Sequence, residues 1–473
     1  MKKRLLASLL SLALVLTLLP VTALAAGEGD TPQEPTPTTK DAIAQITVGD
    51  ETKEYFDEDS FEEAAETLTN KATVKLLQDV VINGSETADK RLVFPAGSNI
   101  TLDLDGKTLT VGQRIEVKGD LTVDGNGTIA SVSTSSTSYY AVFYVSAGGK
   151  LALKSGTVNA AEGGYTLNVL SGATASVEGG TLKGKINASV GTLKITGGRF
   201  ATDISPYLGA GESAAKGTDG YYSISSDTLT ADDAAARIGD SEYYATVVGA
   251  LAAAEENETV TVLKNTTESA GVTYTGTGVT LDLNGKTVDM GEKKITVSGG
   301  LTIKDNSSQS NGTITGTAGQ MLTVSSSLKL ESGKIMTTGY GAVRTDSNAT
   351  FTMTGGTVQG NPAVQGNKGT VNITGGSVLT NESGSLAIEN DGAQITIGTK
   401  NATSHETPYI EGVDVGENTS VNLYSGIVTS VEGILSAGAA MTCRFSNDIT
   451  DALPAGMACV QENGYWKVVA LEE

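Results

Sequence analysis

Residues 351–378 read FTMTGGTVQGNPAVQGNKGTVNITGGSV. The opening octet, FTMTGGTV, returns 20 residues later as VNITGGSV: an alternating apolar run, two glycines, a small polar residue, another apolar residue. Looser copies stand on either side, LKLESGKI from Leu328 and VNLYSGIV from Val421. The first half of the chain has LTVDGNGTI from Leu121, LALKSGTV from Leu151, ASVEGGTL from Ala175 and LKITGGRF from Leu193. Gly312, Gly333, Gly356, Gly376 and Gly398 lie 21, 23, 20 and 22 residues apart. Strand alternation inside a period of that length is the signature of a β-solenoid.

A unit this short cannot bury its own apolar face, so coils must stack into shared aliphatic ladders. Three short strands with their turns fit each coil, parallel strands lying about 4.8 Å apart. The Gly-Gly-Thr element marks a tight corner where a side chain would clash. Abundant glycine (58 residues) and few charged residues (18%) suit stacked turns better than helices.

Around the coils the chain is duplicated. DSFEEAAETLTNKATVKLLQD from Asp59 aligns with ATVVGALAAAEENETVTVLKN from Ala245. Each reads as a short amphipathic helix with a Ser/Thr N-cap running into a strand, Ser60 opposite Thr246. Ser60 and Glu63 have capping-box spacing. LDLDGKTL from Leu102 matches LDLNGKTV from Leu281, with the leucines on one strand face and a D-G or N-G turn after them. A closing block aligns Arg199 with Arg444, Phe200 with Phe445, and Gly220-Tyr221-Tyr222 with Gly464-Tyr465-Trp466. About five coils are expected in the first copy and about eight in the second. The helix would cover one open end of each stack, as exposed sheet edges are usually managed. Phe200 with Tyr221, or Phe445 with Trp466, would cover the other.

Lys2, Lys3 and Arg4, an apolar run to Leu19 and then Ala23-Leu24-Ala25 form a secretory signal peptide over 1–26. The apolar run is short for a membrane span, so none is expected after cleavage. A Pro/Thr-rich linker follows over 27–40. The remaining boundaries fall at 41–226 for the first domain, 227–233 for a polar joint and 234–473 for the second domain. The formal net charge is −22, and cleavage removes three positive and no negative charges. So acidic a chain repels phosphate backbones, which disfavours nucleic acid as a partner. Cys443 and Cys459 either pair, as exported cysteines can, or remain two buried thiols.

The order of helix, LDLNGKTV-type strand, GGTV-type coils and GRF…DI…L…G…GY block resembles secreted bacterial surface proteins with right-handed parallel β-helix, pectin-lyase-like repeats. Such proteins are common in Gram-positive anaerobes. The likeness covers nearly all of the chain after the leader. It implies an all-β fold of two tandem right-handed parallel β-helix domains, each with a short N-terminal capping helix. It also implies a secreted, extracellular protein with a place at the cell surface. Surface-layer or sorting modules, frequent in that family, are not visible here.

The same fold hosts polysaccharide lyases and glycoside hydrolases, though fold alone assigns no function. Calcium-dependent lyases cluster acidic ligands with an Arg or Lys base. Asp103 and Asp105 are the best acidic pair here, but they flank a D-G turn and Asn284 replaces the second acid in the later copy. Calcium needs six to eight oxygens, and no dense acidic loop supplies them. Polygalacturonase-like enzymes carry a Gly-His-Gly element, whereas the single histidine, His405, has no flanking glycine. Arg199 and Arg444 repeat between the copies, which marks them as structural. No catalytic residue, cofactor or metal site is therefore expected.

SSTSYYAVFYV from Ser135 interrupts the coil rhythm. Tyr139 and Tyr140 are the candidate ligand-binding residues, since an exposed tyrosine can stack on a sugar and hydrogen-bond through its hydroxyl. Strand alternation would put Tyr140 and Tyr144 on one face and Tyr139 and Phe143 on the other. The polar loop KDNSSQSNG from Lys304 and the outward threonines are further places for contacts. The expected role is non-catalytic: surface display, adhesion, or binding of extracellular polysaccharide, glycan or glycoprotein. A carbohydrate-active enzyme and a rigid cell-envelope spacer are the alternatives.

Overall fold

A computed structural model describes residues 40–82, 91–403, 406–416, 419–436 and 439–471. The expected signal peptide, residues 27–39 of the linker, and His405 lie outside the described residues. Ala42–Glu473 forms one compact unit. It is a right-handed parallel β-solenoid of about 14 turns. Two successive stacks each contribute three sheets, with six parallel rungs on the longest run of the first and nine on that of the second.

The alternation read from the sequence is the inside–outside pattern of these rungs. In Thr350–Met353, Phe351 and Met353 are buried while both threonines stay partly exposed. Register then builds the ladder Leu301–Leu328–Phe351–Val371–Ile395–Val421 through the second stack. Ile100–Leu121–Leu151–Ala175 does the same in the first. Burying each such aliphatic side chain contributes about 1.5–3 kcal/mol. The two stacks keep separate hydrophobic cores.

The glycines serve two different geometries. Gly356 turns the corner at φ +79°, and a Cβ there would lie 2.5 Å from the Gly333 carbonyl oxygen of the preceding coil. Gly312 needs no left-handed backbone, but its Cβ would lie 2.5 Å from the Leu283 Cβ. Both demand the absence of a side chain, one by conformation and contact, the other by contact alone.

Each stack starts with antiparallel strands that the sequence reading did not anticipate. Ala44–Val48 pairs with Glu51–Tyr55 and with the first rung, Lys71–Leu76. Ala236–Ile238 pairs likewise with Glu242–Tyr244 and with Thr259–Val262. At the closing blocks Phe200 opposes Tyr222 and Phe445 opposes Trp466 across antiparallel pairs. Tyr222, not Tyr221, is thus the partner of Phe200. Tyr221 and Tyr465 instead lie under the guanidinium groups of Arg199 and Arg444, at 4.7 and 5.4 Å.

The two short helices are α1, Glu58–Glu66, and α2, Val247–Ala253. Thr246 caps α2 as expected, accepting from the Gly249 N–H at 3.0 Å. In α1 the cap is Asp57 rather than Ser60: its carboxylate accepts the Ser60 N–H at 2.9 Å, so the helix starts earlier. Asp is as good an N-cap as Ser, and its charge also favours the helix N-terminus. α1 is amphipathic and buries only Phe61 and Ala65, whereas five consecutive residues of α2, Val247 to Leu251, are buried. α2 packs against the turn Ser205–Tyr207 of the first stack as well as its own strands.

The expected polar joint, 227–233, is exposed except at Leu229, and the chain packs again from Ala234. Leu229, Ala234 and Ala235 are buried. The Gly211 N–H donates to the Tyr243 carbonyl, and the Leu229 N–H to the Gly211 carbonyl, both at 2.8 Å. Cys443 is buried and Cys459 partly so, and both are free thiols. Burial raises both thiol pKa values. Among the described residues no helix is long and apolar enough to cross a membrane.

Candidate lateral binding face

Residues 131–142 leave the coil and fold over one lateral sheet of the first stack. Ser131 Oγ donates to the Gln113 carbonyl at 2.6 Å, and Ser138–Tyr140 forms a single 3-10 turn. A turn of this kind does not alternate, which overturns the expected face assignment. Tyr139, Tyr140 and Tyr144 gather in one cluster, and only Phe143 enters the core. Tyr139 meets Tyr140 and Tyr144 edge-on, at centroid distances of 5.1 and 5.6 Å. It remains 50% exposed, so part of the ring faces solvent.

A buried cation braces this cluster. Arg114, only 2% exposed, lies 4.0 Å from the Tyr139 ring and 4.5 Å from that of Tyr144. Its Nη1 donates to the Tyr139 carbonyl at 3.0 Å. The neighbouring buried carboxylate of Glu116 pairs with Arg91 at 2.8 Å, Lys118 at 3.4 Å and Arg114 at 3.8 Å. Three cations around one carboxylate leave the cluster net positive, a local reversal of the chain's overall charge. Arg114 and Lys118 flank Glu116 along its own strand, but Arg91, Tyr139 and Tyr144 come from other coils, so the linear sequence shows only part of the group.

The outward residues of this sheet are in register: Val93, Glu116, Tyr144, Asn168 and Asn187. Asn187 donates to Asn168 at 2.8 Å. The Thr273 N–H then donates to the Ser189 carbonyl at 2.8 Å, joining the corresponding sheet of the second stack. There the outward column continues as Thr273, Thr296, Thr323, Arg344, Gln365 and Glu389. The expected threonine ladder therefore exists here, but it is short and gives way to a polar network. Arg344 donates to Gln320 at 3.0 Å, Gln320 to Gln365 at 3.1 Å, and Gln365 to the Tyr340 hydroxyl at 3.1 Å. The Tyr340 hydroxyl donates to Glu389. That hydrogen bond, followed by burial, pushes the phenol up to about 12. Sequence reading missed this group because its members come from different coils and only register assembles them.

Two cavities open on this face. One of about 370 Å³ lies where the stacks meet, lined by Tyr165, Lys185, Lys216, Tyr222, Lys293 and Asp203 among others. Another, about 460 Å³, is lined by Tyr340, Asn361, Glu389, Asp414 and Glu432.

The residues considered for catalysis are engaged elsewhere. Asp103 accepts the Asp105 N–H at 3.1 Å, and Asp105 pairs with Lys75 at 3.1 Å. Asn284 repeats the turn, donating its N–H to Asp282 at 3.0 Å, and both Asp105 and Asn284 have positive φ. Arg199 pairs with Asp219, and Arg444 with Glu406 at 2.7 Å. The loop from Lys304 closes on itself around Asp305. Burial pushes that carboxyl up, but the N–H groups of Gly312, Ser307 and Gly285 outweigh it and hold it below the usual range. Among the described residues no group of three or more His, Cys, Asp or Glu is placed to hold a metal ion. No protein-family model, curated protein or solved structure matches the chain.

Proposed function

We propose that this chain is an exported, non-catalytic β-helix protein of the bacterial cell surface. It binds extracellular polysaccharide or the glycan of a glycoprotein along the lateral face described above. The observation that carries this reading is the Tyr139–Tyr140–Tyr144 cluster braced by buried Arg114. A half-exposed ring held from behind by a guanidinium is a pre-ordered platform for the apolar face of a sugar, so little entropy is lost on binding. Asn187, Arg344 and Gln365, partly exposed along the continuing face, offer hydrogen-bond partners to hydroxyls. The resemblance to Gram-positive surface proteins with pectin-lyase-like repeats agrees with this role, and the engagement of Asp103, Asp105 and Asp305 in turns argues against their use in catalysis.

The test is an array of plant, microbial and mucin glycans probed with the chain from Ala42 onward, with calcium and with chelator. Selective binding without product release is expected. The double variant Tyr139→Ala, Tyr140→Ala should weaken it at least about tenfold while the fold persists by circular dichroism. Calcium-dependent depolymerisation would replace this reading with a lyase. Absence of any glycan binding would replace it with the spacer.

A further inference from the structure

We infer that the cavity where the two stacks meet is an anion subsite, and that the glycan bound along this face is an acidic one, carrying carboxylate or sulfate groups. This rests on the glycan-binding reading and names its substrate class.

The chain carries 54 acidic and 32 basic residues, so a wall chosen at random should be acidic. The lining of this cavity has three lysines, Lys185, Lys216 and Lys293, and one acid, Asp203. The acid is already committed to the joint. Its Oδ1 accepts the Ser205 N–H at 3.0 Å and the Ser205 hydroxyl at 2.7 Å, and its Oδ2 accepts the Ser269 hydroxyl at 3.3 Å. Among the described residues none of the three lysines forms an ion pair with a carboxylate. Lys75, Lys150, Lys329 and Lys467 each have a carboxylate partner, while other exposed lysines such as Lys53 and Lys194 have none among the described residues, so what sets this cavity apart is three such cations converging on one lining.

Geometry holds the cations in place. The Lys185 ammonium lies 5.6 Å from the Tyr165 ring centroid, directly across a strand pair, and the Lys216 ammonium lies 5.3 Å from that of Tyr222. Cation–π contact limits the freedom of a long side chain without neutralising it. The chain's net charge of −22 repels an arriving polyanion at long range, but salt screens that repulsion beyond about 8–10 Å, whereas the local lysine cluster attracts each carboxylate or sulfate that reaches it. The tyrosine platform stands nearby: Tyr144, Asn168 and Asn187 are in register, so about 10 Å separates it from the cavity. An extended chain of a few sugars spans both. The positive Arg91–Glu116–Arg114–Lys118 group under the platform extends the same preference.

The experiment compares polygalacturonate, chondroitin sulfate and neutral galactan as ligands for the wild-type chain and for the triple variant Lys185→Gln, Lys216→Gln, Lys293→Gln. Lys329→Gln, on another sheet, is the control. Expected results are binding of one or both acidic glycans over galactan, weakening with added salt, and a loss of about tenfold or more in the triple variant alone. Polygalacturonate carries carboxylates alone and chondroitin sulfate carries both groups, so tighter binding of chondroitin sulfate assigns a contribution to sulfate. The inference is overturned, with the glycan-binding reading intact, where galactan binds as well as the acidic glycans, or where the triple variant retains full affinity. Failure of every glycan to bind overturns both. Circular dichroism and the melting transition separate lost binding from lost folding in the triple variant.

Discussion

At the scale of single residues, corner glycines divide into those that are conformationally required and those that are also sterically boxed. Gly148 has φ +82° with open space where a Cβ would stand, whereas Gly356 has φ +79° and the Gly333 carbonyl oxygen at 2.5 Å from that position. Gly148→Ala should therefore cost about 1 kcal/mol, the penalty for a left-handed L-residue. Gly356→Ala should cost about 2–3 kcal/mol, since strain and a backbone clash combine. Equilibrium denaturation of the two variants checks the difference, and equal losses would show that the coils can shift apart. The spacing of these glycines was legible in the sequence. Which of them touches the coil below was not, because that depends on stacking distance.

At the scale of elements, the helices show how far local pattern reaches. Both helices were expected to be amphipathic, which holds for α1; α2, VVGALAA, is apolar all round and buries five consecutive residues instead. The source of its burial was not legible: it lies between its own strands and a turn of the first stack. Its first turn is anchored by Glu268, which is 3% exposed and accepts the N–H groups of Val247 and Val248 at 3.1 and 3.2 Å. Burial raises the Glu268 carboxyl, while these N–H groups and the Thr266 hydroxyl pull the other way. Glu268→Ala leaves two buried donors without this acceptor and should destabilise by about 2–4 kcal/mol. Glu268→Gln keeps an acceptor oxygen and should lose less. A chemical melt in which both variants match wild type would remove Glu268 from the joint's anchoring. The tyrosine insertion shows where local pattern stops. Alternation assigned Tyr139 to the side of Phe143, but a 3-10 turn has no such rule, and Tyr139 joins Tyr144 above Arg114 with Tyr140 edge-on beside it.

At the scale of the whole molecule, the two stacks have separate cores yet form one compact unit. Backbone hydrogen bonds from Gly211 and Thr273, the Asp203–Ser269 bond and α2 all cross the meeting point. Residues 225–235 should accordingly resist limited proteolysis under native conditions. Early cleavage there, yielding two stable halves, would show that the stacks hinge. Charge is also a property at this scale. A net charge of −22 described the chain, but the concentration of unpaired lysines in one cavity appears only once two stacks are brought together.

The sequence by itself determined the solenoid, the duplication and the inner ladders, because a 20-odd-residue period and strand alternation depend on neighbours along the chain. It did not separate the two helices: both read as amphipathic, and only packing shows five consecutive residues of the second buried. Only the tertiary structure decided which cations meet which rings, which acids are consumed by turns, and where a cavity forms. Those contacts join residues one or more coils apart, as between Arg114 and Tyr139 or Asp203 and Ser269. They are set by rung register and by the packing of one stack on the other, and no local pattern encodes either distance.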